Sequence, residues 1–72
     1  MDFNNLNKIY FIGIGGIGVS ALARICKSKG LNVSGSDSKE SELTKELQKE
    51  GIVVNYNHKS ENITSDIDLV VK

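Results

Sequence analysis

The sequence predicts an α/β domain: a parallel sheet of strand order 3-2-1-4 with flanking helices, cut short of its last crossover. Three observations carry this. Short apolar runs of strand length alternate with helix-length segments, short connections join them, and glycines stand where strands turn into helices and helices end.

The first strand is expected over Lys8–Ile12, where Ile9, Tyr10, Phe11 and Ile12 form an unbroken apolar run. Such runs suit a strand buried on both faces, as in parallel sheets. A helix follows from Ile17 to Lys29, with Val19, Leu22, Ala23 and Cys26 at one-face spacing. Arg24, Lys27 and Lys29 lie towards its end, where cations complement the helix dipole, and Gly30 stops it. Leu31–Gly35 reads as a second strand, Ser41–Glu50 as a second helix closed by Gly51, and 52–54 as a third strand. A polar loop, NYNHKSEN, with a helical turn at its end, leads to a fourth strand over Asp68–Val71. A parallel strand is normally covered on both faces, so an ending at Lys72 reads as a piece of a longer protein.

Composition narrows the function classes. Nine basic and nine acidic side chains cancel, which leaves no electrostatic footprint for nucleic acid or an anionic membrane. The chain is 39% hydrophobic and lacks proline and low-complexity tracts, so it is not a disordered tail. Cys26 is the single cysteine and cannot form an internal disulfide, which suits a reducing cytoplasm. Residues 1–8 (MDFNNLNK) lack the basic and apolar segments of a leader peptide. No apolar run reaches bilayer length.

The chemistry-bearing stretch is YFIGIGGIGVSALARI. Gly13, Gly15 and Gly18 satisfy G-x-G-x-x-G, with Gly16 in addition. Alone this is weak; between a buried strand and an amphipathic helix it reads as a phosphate cradle. Gly13 would make the turn, Gly15 would admit a diphosphate, and Gly18 would let helix and sheet approach. Free N–H groups at the helix start would face the anion. Asp37 follows Gly18 by 19 residues, the distance at which such folds place a ribose-binding acid. Asp37 could equally cap the second helix, with Glu40 three residues on. The strand before it ends SGSD, and Gly35 with its flanking serines suggests a surface that a ligand approaches. Spacing does not choose between NAD and another nucleotide.

IGIGGIGVSALARI, VSGSD, the S-x-x-T of ESELTKEL and NHKSENI, in that order, closely resemble the N-terminal domain of the Mur ligases, and within them the alanine-adding branch. The resemblance runs from about Lys8 to Val71; Val19 and Ser20 depart mildly from the family's usual methionine and small residue. It implies a Rossmann-like domain, residues 1–72 here, that holds the UDP part of UDP-N-acetylmuramic acid. Carried over by position, Gly15, Gly16, Ile17 and Gly18 would offer amides to the diphosphate after the turn at Gly13. Ser36, Asp37 and His58 would lie near the uridine. A lone histidine in a polar loop is otherwise usually just solvated. Ser41 and Thr44 suit a helix start, Cys26 suits packing, and Tyr56 could meet a ligand or cover the sheet edge.

The parent enzyme implied by the resemblance is a cytoplasmic ligase of peptidoglycan precursor synthesis. It uses ATP and magnesium to activate a carboxylate as an acyl phosphate, which the amine of L-alanine attacks. That chemistry needs a G-x-x-x-x-G-K-[ST] loop, which this sequence lacks. The piece is therefore expected to bind, in company with the remaining ligase domains, and to catalyse nothing alone. The NAD-binding half of an oxidoreductase or a nucleotide-sensing domain is the competing reading, and a truncation that binds nothing is a third.

Overall fold

A computed structural model describes residues 6–72; the reading of residues 1–8 as lacking a leader lies mostly outside them. Four parallel strands, β1 (Lys8–Ile12), β2 (Asn32–Ser36), β3 (Val53–Asn55) and β4 (Leu69–Val71), stand in the order β3-β2-β1-β4. Helix α1 (Ile17–Ser28) joins β1 to β2, and α2 (Glu42–Lys49) joins β2 to β3. A 3-10 turn, Ser60–Asn62, lies in the long connection to β4. The expected order, 3-2-1-4, and each expected element are present, with ends displaced by a residue or so. Among the described residues no helix is long and apolar enough to cross a membrane.

Strand alternation divides the sheet into two faces. Ile9, Phe11, Val33 and Val54 pack with Ala23 and Cys26 of α1 and Leu47 of α2 in one buried cluster. Both helices therefore cover the same face. Tyr10 points to the other, in register with Ser34 and Val70, and is still only 2% exposed. Returning from β3 at one edge to β4 at the other, residues 56–68 must cross this second face, as a right-handed connection requires. The Tyr10 hydroxyl is buried with no hydrogen-bond partner among the described residues.

The inward face of α1 is the expected one at Val19, Ala23 and Cys26, with Ser20 added and Leu22 turned partly outward. Ser20, Ala23 and Cys26 are buried, whereas Leu22 is 36% exposed and Ile25 is exposed as well. The Ser20 hydroxyl donates to the Ile17 carbonyl at 2.9 Å, which satisfies it on the inward side. Burial pushes the Cys26 thiol pKa up, in keeping with a packing role. Arg24 does not serve the helix end. Its guanidinium reaches Glu50 at 2.9 and 3.0 Å and Glu46 at 3.3 Å, tying α1 to α2, and these bonds raise its pKa further.

Helix α2 begins with a reciprocal cap. Thr44 N–H donates to Ser41 Oγ at 3.1 Å, and Ser41 N–H donates to Thr44 Oγ1 at 2.8 Å. Asp37 is thus not the cap. At the far edge, Asp68 binds β4 to the start of β1: its Oδ2 accepts the N–H groups of Asn7 and Lys8 at 2.8 and 2.9 Å. Lys8 Nζ lies 2.8 Å from Asp66, and this contact, with a hydrogen bond from Thr64, lowers the Asp66 pKa.

Candidate functional site

Three loops meet at the carboxyl ends of the strands, where open α/β sheets take their ligands. The loop after β1 carries the glycines, the loop after β2 carries Asp37, and the loop after β3 carries His58. Two side-chain bonds join them. Asp37 Oδ2 accepts the Gly15 N–H at 2.8 Å, and Ser36 Oγ lies 2.8 Å from His58 Nδ1. Residues 22 apart in sequence meet in both cases.

The glycine loop leaves β1 through Gly13, whose φ is +79°. The N–H groups of Gly13 and Ile14 both donate to the Ser36 carbonyl, at 2.8 and 2.9 Å, so the turn is sewn to the end of β2. Gly15 then gives its amide to Asp37, and Gly16 gives its own to the Gly13 carbonyl at 3.0 Å. Gly16 is the N-cap of α1, and the first bond of the helix proper runs from Ser20 N–H to Gly16 at 2.7 Å. The amides of Ile17, Gly18 and Val19 are the donors of the first turn that this geometry leaves over, as at any helix start. They carry the positive end of the α1 dipole, about half a unit charge. The Ile17 side chain beside them is 86% exposed.

The glycines divide their tasks differently from the expectation. A Cβ at Gly15 would lie 2.7 Å from Asp37 Oδ2 and 2.9 Å from Thr44 Cγ2, so this position has no room for a side chain. A Cβ at Gly18 would meet nothing within 4 Å; Gly18 lies on the open side of α1, not against the sheet. At Gly35 a Cβ would fall 2.4 Å from the Phe11 carbonyl and 2.7 Å from Ile14 Cδ1. Gly35 therefore makes room for the neighbouring strand and for Ile14, and it is not a ligand-facing surface.

The remaining candidates sort by their partners. Ser36 is 1% exposed, while His58 is exposed, so the serine anchors a ring that reaches solvent. Tyr56 OH lies 3.0 Å from Thr44 Oγ1 and 3.2 Å from Gln48 Oε1, which ties the third loop to α2. Thr44, fully buried, thus contacts the first loop, caps its own helix and holds Tyr56. The S-x-x-T spacing signals the cap, but nothing local signals the other two contacts. A separate shallow cleft between Lys8, Asn32, Ser34, Gly51 and Val53 lies at the amino ends of β1–β3, away from the three loops.

A parallel sheet of this order, with a glycine loop at the head of its first helix and an acid after its second strand, is a Rossmann-like type of domain. The family model described as "Mur ligase family, catalytic domain" matches residues 8–72, and the chain belongs to the Mur ligase family. It is 62% identical over 63 residues to the UDP-N-acetylmuramate–L-alanine ligase of Carboxydothermus hydrogenoformans, covering 88% of this chain and 14% of that protein. It is 58% identical over 66 residues to the enzyme of the same name from Campylobacter jejuni, covering 92% and 15%. The crystal structure of UDP-N-acetylmuramate-alanine ligase from Thermotoga maritima matches with a TM-score of 0.81 at 48% identity, over 88% of this chain and 14% of that one. The chain thus spans about one-seventh of the length of these relatives.

Proposed function

We propose that this chain binds the UDP moiety of UDP-N-acetylmuramic acid, as the N-terminal domain of an ATP-dependent ligase that adds L-alanine in peptidoglycan precursor synthesis. The observation that carries the reading is the convergence of the glycine loop, Asp37 and His58 at the carboxyl ends of the strands, in a chain 62% identical to part of such a ligase. In this reading the diphosphate sits at the start of α1, on the amides of Ile17 and Gly18. Gly13, Gly15 and Gly16 shape the turn that presents them. Ser36 and His58 border the nucleoside, with Ser36 holding the His58 ring, and Asp37 stands behind the glycine loop.

What the chain contributes is binding and orientation. Amides fixed by the fold meet the diphosphate without reorganising, which is how a rigid loop secures both affinity and direction. ATP and magnesium belong to the parent activity. The G-x-x-x-x-G-K-[ST] loop that such chemistry needs is not in this sequence. The activating chemistry falls to the remaining domains of a cytoplasmic parent enzyme.

Titration of the full-length protein with UDP and with NADH, followed by backbone amide NMR, tests the reading. UDP should bind and shift the amides of residues 15–19 together with His58. Tighter binding of NADH, or UDP shifts confined to other regions, would reject it.

A further inference from the structure

We infer that Asp37 is the positioning residue of the glycine loop, acting on a bound diphosphate through the Gly15 amide and not by touching the nucleoside. The inference rests on the reading above that the loop holds a diphosphate, and it assigns the residue that sets the loop's shape. Both carboxylate oxygens of Asp37 are already engaged. Oδ2 accepts the Gly15 N–H at 2.8 Å and Oδ1 faces the Lys39 N–H at 3.3 Å. The Asp37 backbone is fixed as well, its N–H donating to the Asn55 carbonyl at 2.9 Å.

Gly15 is held from two sides. Asp37 Oδ2 and Thr44 Cγ2 would stand 2.7 and 2.9 Å from a Cβ there, and Thr44 is itself fully buried and fixed by the α2 cap. With the Gly15 amide drawn inward and that of Gly16 closed on Gly13, the next amides to face outward are those of Ile17 and Gly18. The direction in which α1 presents its first donors is therefore set by the bond that Asp37 accepts from Gly15.

A carboxylate behind an anion site opposes the anion by ordinary Coulomb repulsion. The bond it accepts works the other way, since a charge-assisted bond is roughly twice as strong as a neutral one and fixes the loop. Asparagine separates the two effects. It keeps an oxygen for the Gly15 N–H and removes the charge, whereas alanine removes both.

Inorganic pyrophosphate and UDP, titrated separately into the full-length protein and its Asp37→Asn and Asp37→Ala variants, test this. Asp37→Ala should weaken both ligands by the same factor, about tenfold or more. Asp37→Asn should bind pyrophosphate at least as tightly as the parent protein. Exchange of the Gly15 amide should be fast in Asp37→Ala and slow in Asp37→Asn. The inference is overturned if asparagine loses as much as alanine, or if alanine weakens UDP and leaves pyrophosphate untouched, which would make Asp37 a nucleoside ligand. A protein that binds pyrophosphate and gains nothing from the uridine half would refute the UDP reading and leave the role of Asp37 standing.

Discussion

The Oγ of Ser36, at the buried end of β2, lies 2.8 Å from Nδ1 of His58, in the loop after β3. A side chain with almost no exposure thereby fixes the orientation of an exposed ring. Ser36→Ala should lower UDP affinity about three- to tenfold, with a stability loss of about 0.5–1.5 kcal/mol, the usual net worth of one such bond. His58→Ala should cost similarly in affinity, and the double variant little more than either single one, because both remove one interaction. Calorimetric titration of the four proteins measures this coupling; fully additive losses would show that the two residues act separately.

Gly15→Ala places a methyl group 2.7 Å from Asp37 Oδ2 and 2.9 Å from Thr44 Cγ2. The loop must move away from α2 to admit it. We expect a destabilisation of about 1–3 kcal/mol by overpacking, read by denaturant unfolding, together with loss of UDP binding. Gly18→Ala, where a Cβ meets nothing within 4 Å, should leave stability nearly unchanged.

Tyr10→Phe removes the buried hydroxyl that has no partner among the described residues. A buried polar group without a bond costs about 1–3 kcal/mol, so the variant should be as stable as the parent or more stable. A clear drop in melting temperature would reveal a bond to that hydroxyl.

Asp66 gives the acid limb of stability a defined direction. Contact with Lys8 and a hydrogen bond from Thr64 lower its pKa from the ordinary 3.8. A carboxylate depressed in the folded state stabilises above its unfolded pKa, and the contribution is lost as pH falls through the folded value. Stability should therefore fall as pH drops below about 4, and Asp66→Asn should flatten part of that fall. Both groups reach solvent, so added salt should shrink the difference. Urea midpoints from pH 2 to 7 give the comparison.

The sheet order and the element sequence were legible because they rest on local signals: an apolar run, a glycine after each helix, a cap spelled S-x-x-T. The inward face of α1 was legible in Val19, Ala23 and Cys26, but Leu22 is partly exposed and the polar Ser20 is buried. Ile17, Ala21 and Ile25 form a second apolar stripe beside Val19, Ala23 and Cys26, and the sheet takes the expected stripe while Ile17 and Ile25 stay exposed. The choice fell on small residues, Ser20, Ala23 and Cys26, which let the helix lie close. The site was legible as a set of candidates, and its internal bonds were not. Asp37 to Gly15 and Ser36 to His58 are contacts between loops that only the parallel crossovers bring together. The crowding at Gly35 was hidden for a similar reason, since it depends on a carbonyl from the neighbouring strand.

The clasp by which Asp68 accepts two amides 60 and 61 residues earlier has a kinetic corollary. Helix and cap can form at nanosecond to microsecond speed from neighbouring residues, whereas this closure must wait for a long chain segment to find its own beginning. The outermost strand should thus be the last to dock and the first to come loose, so that the rate-limiting entropy of assembly is spent at the edge opposite β3.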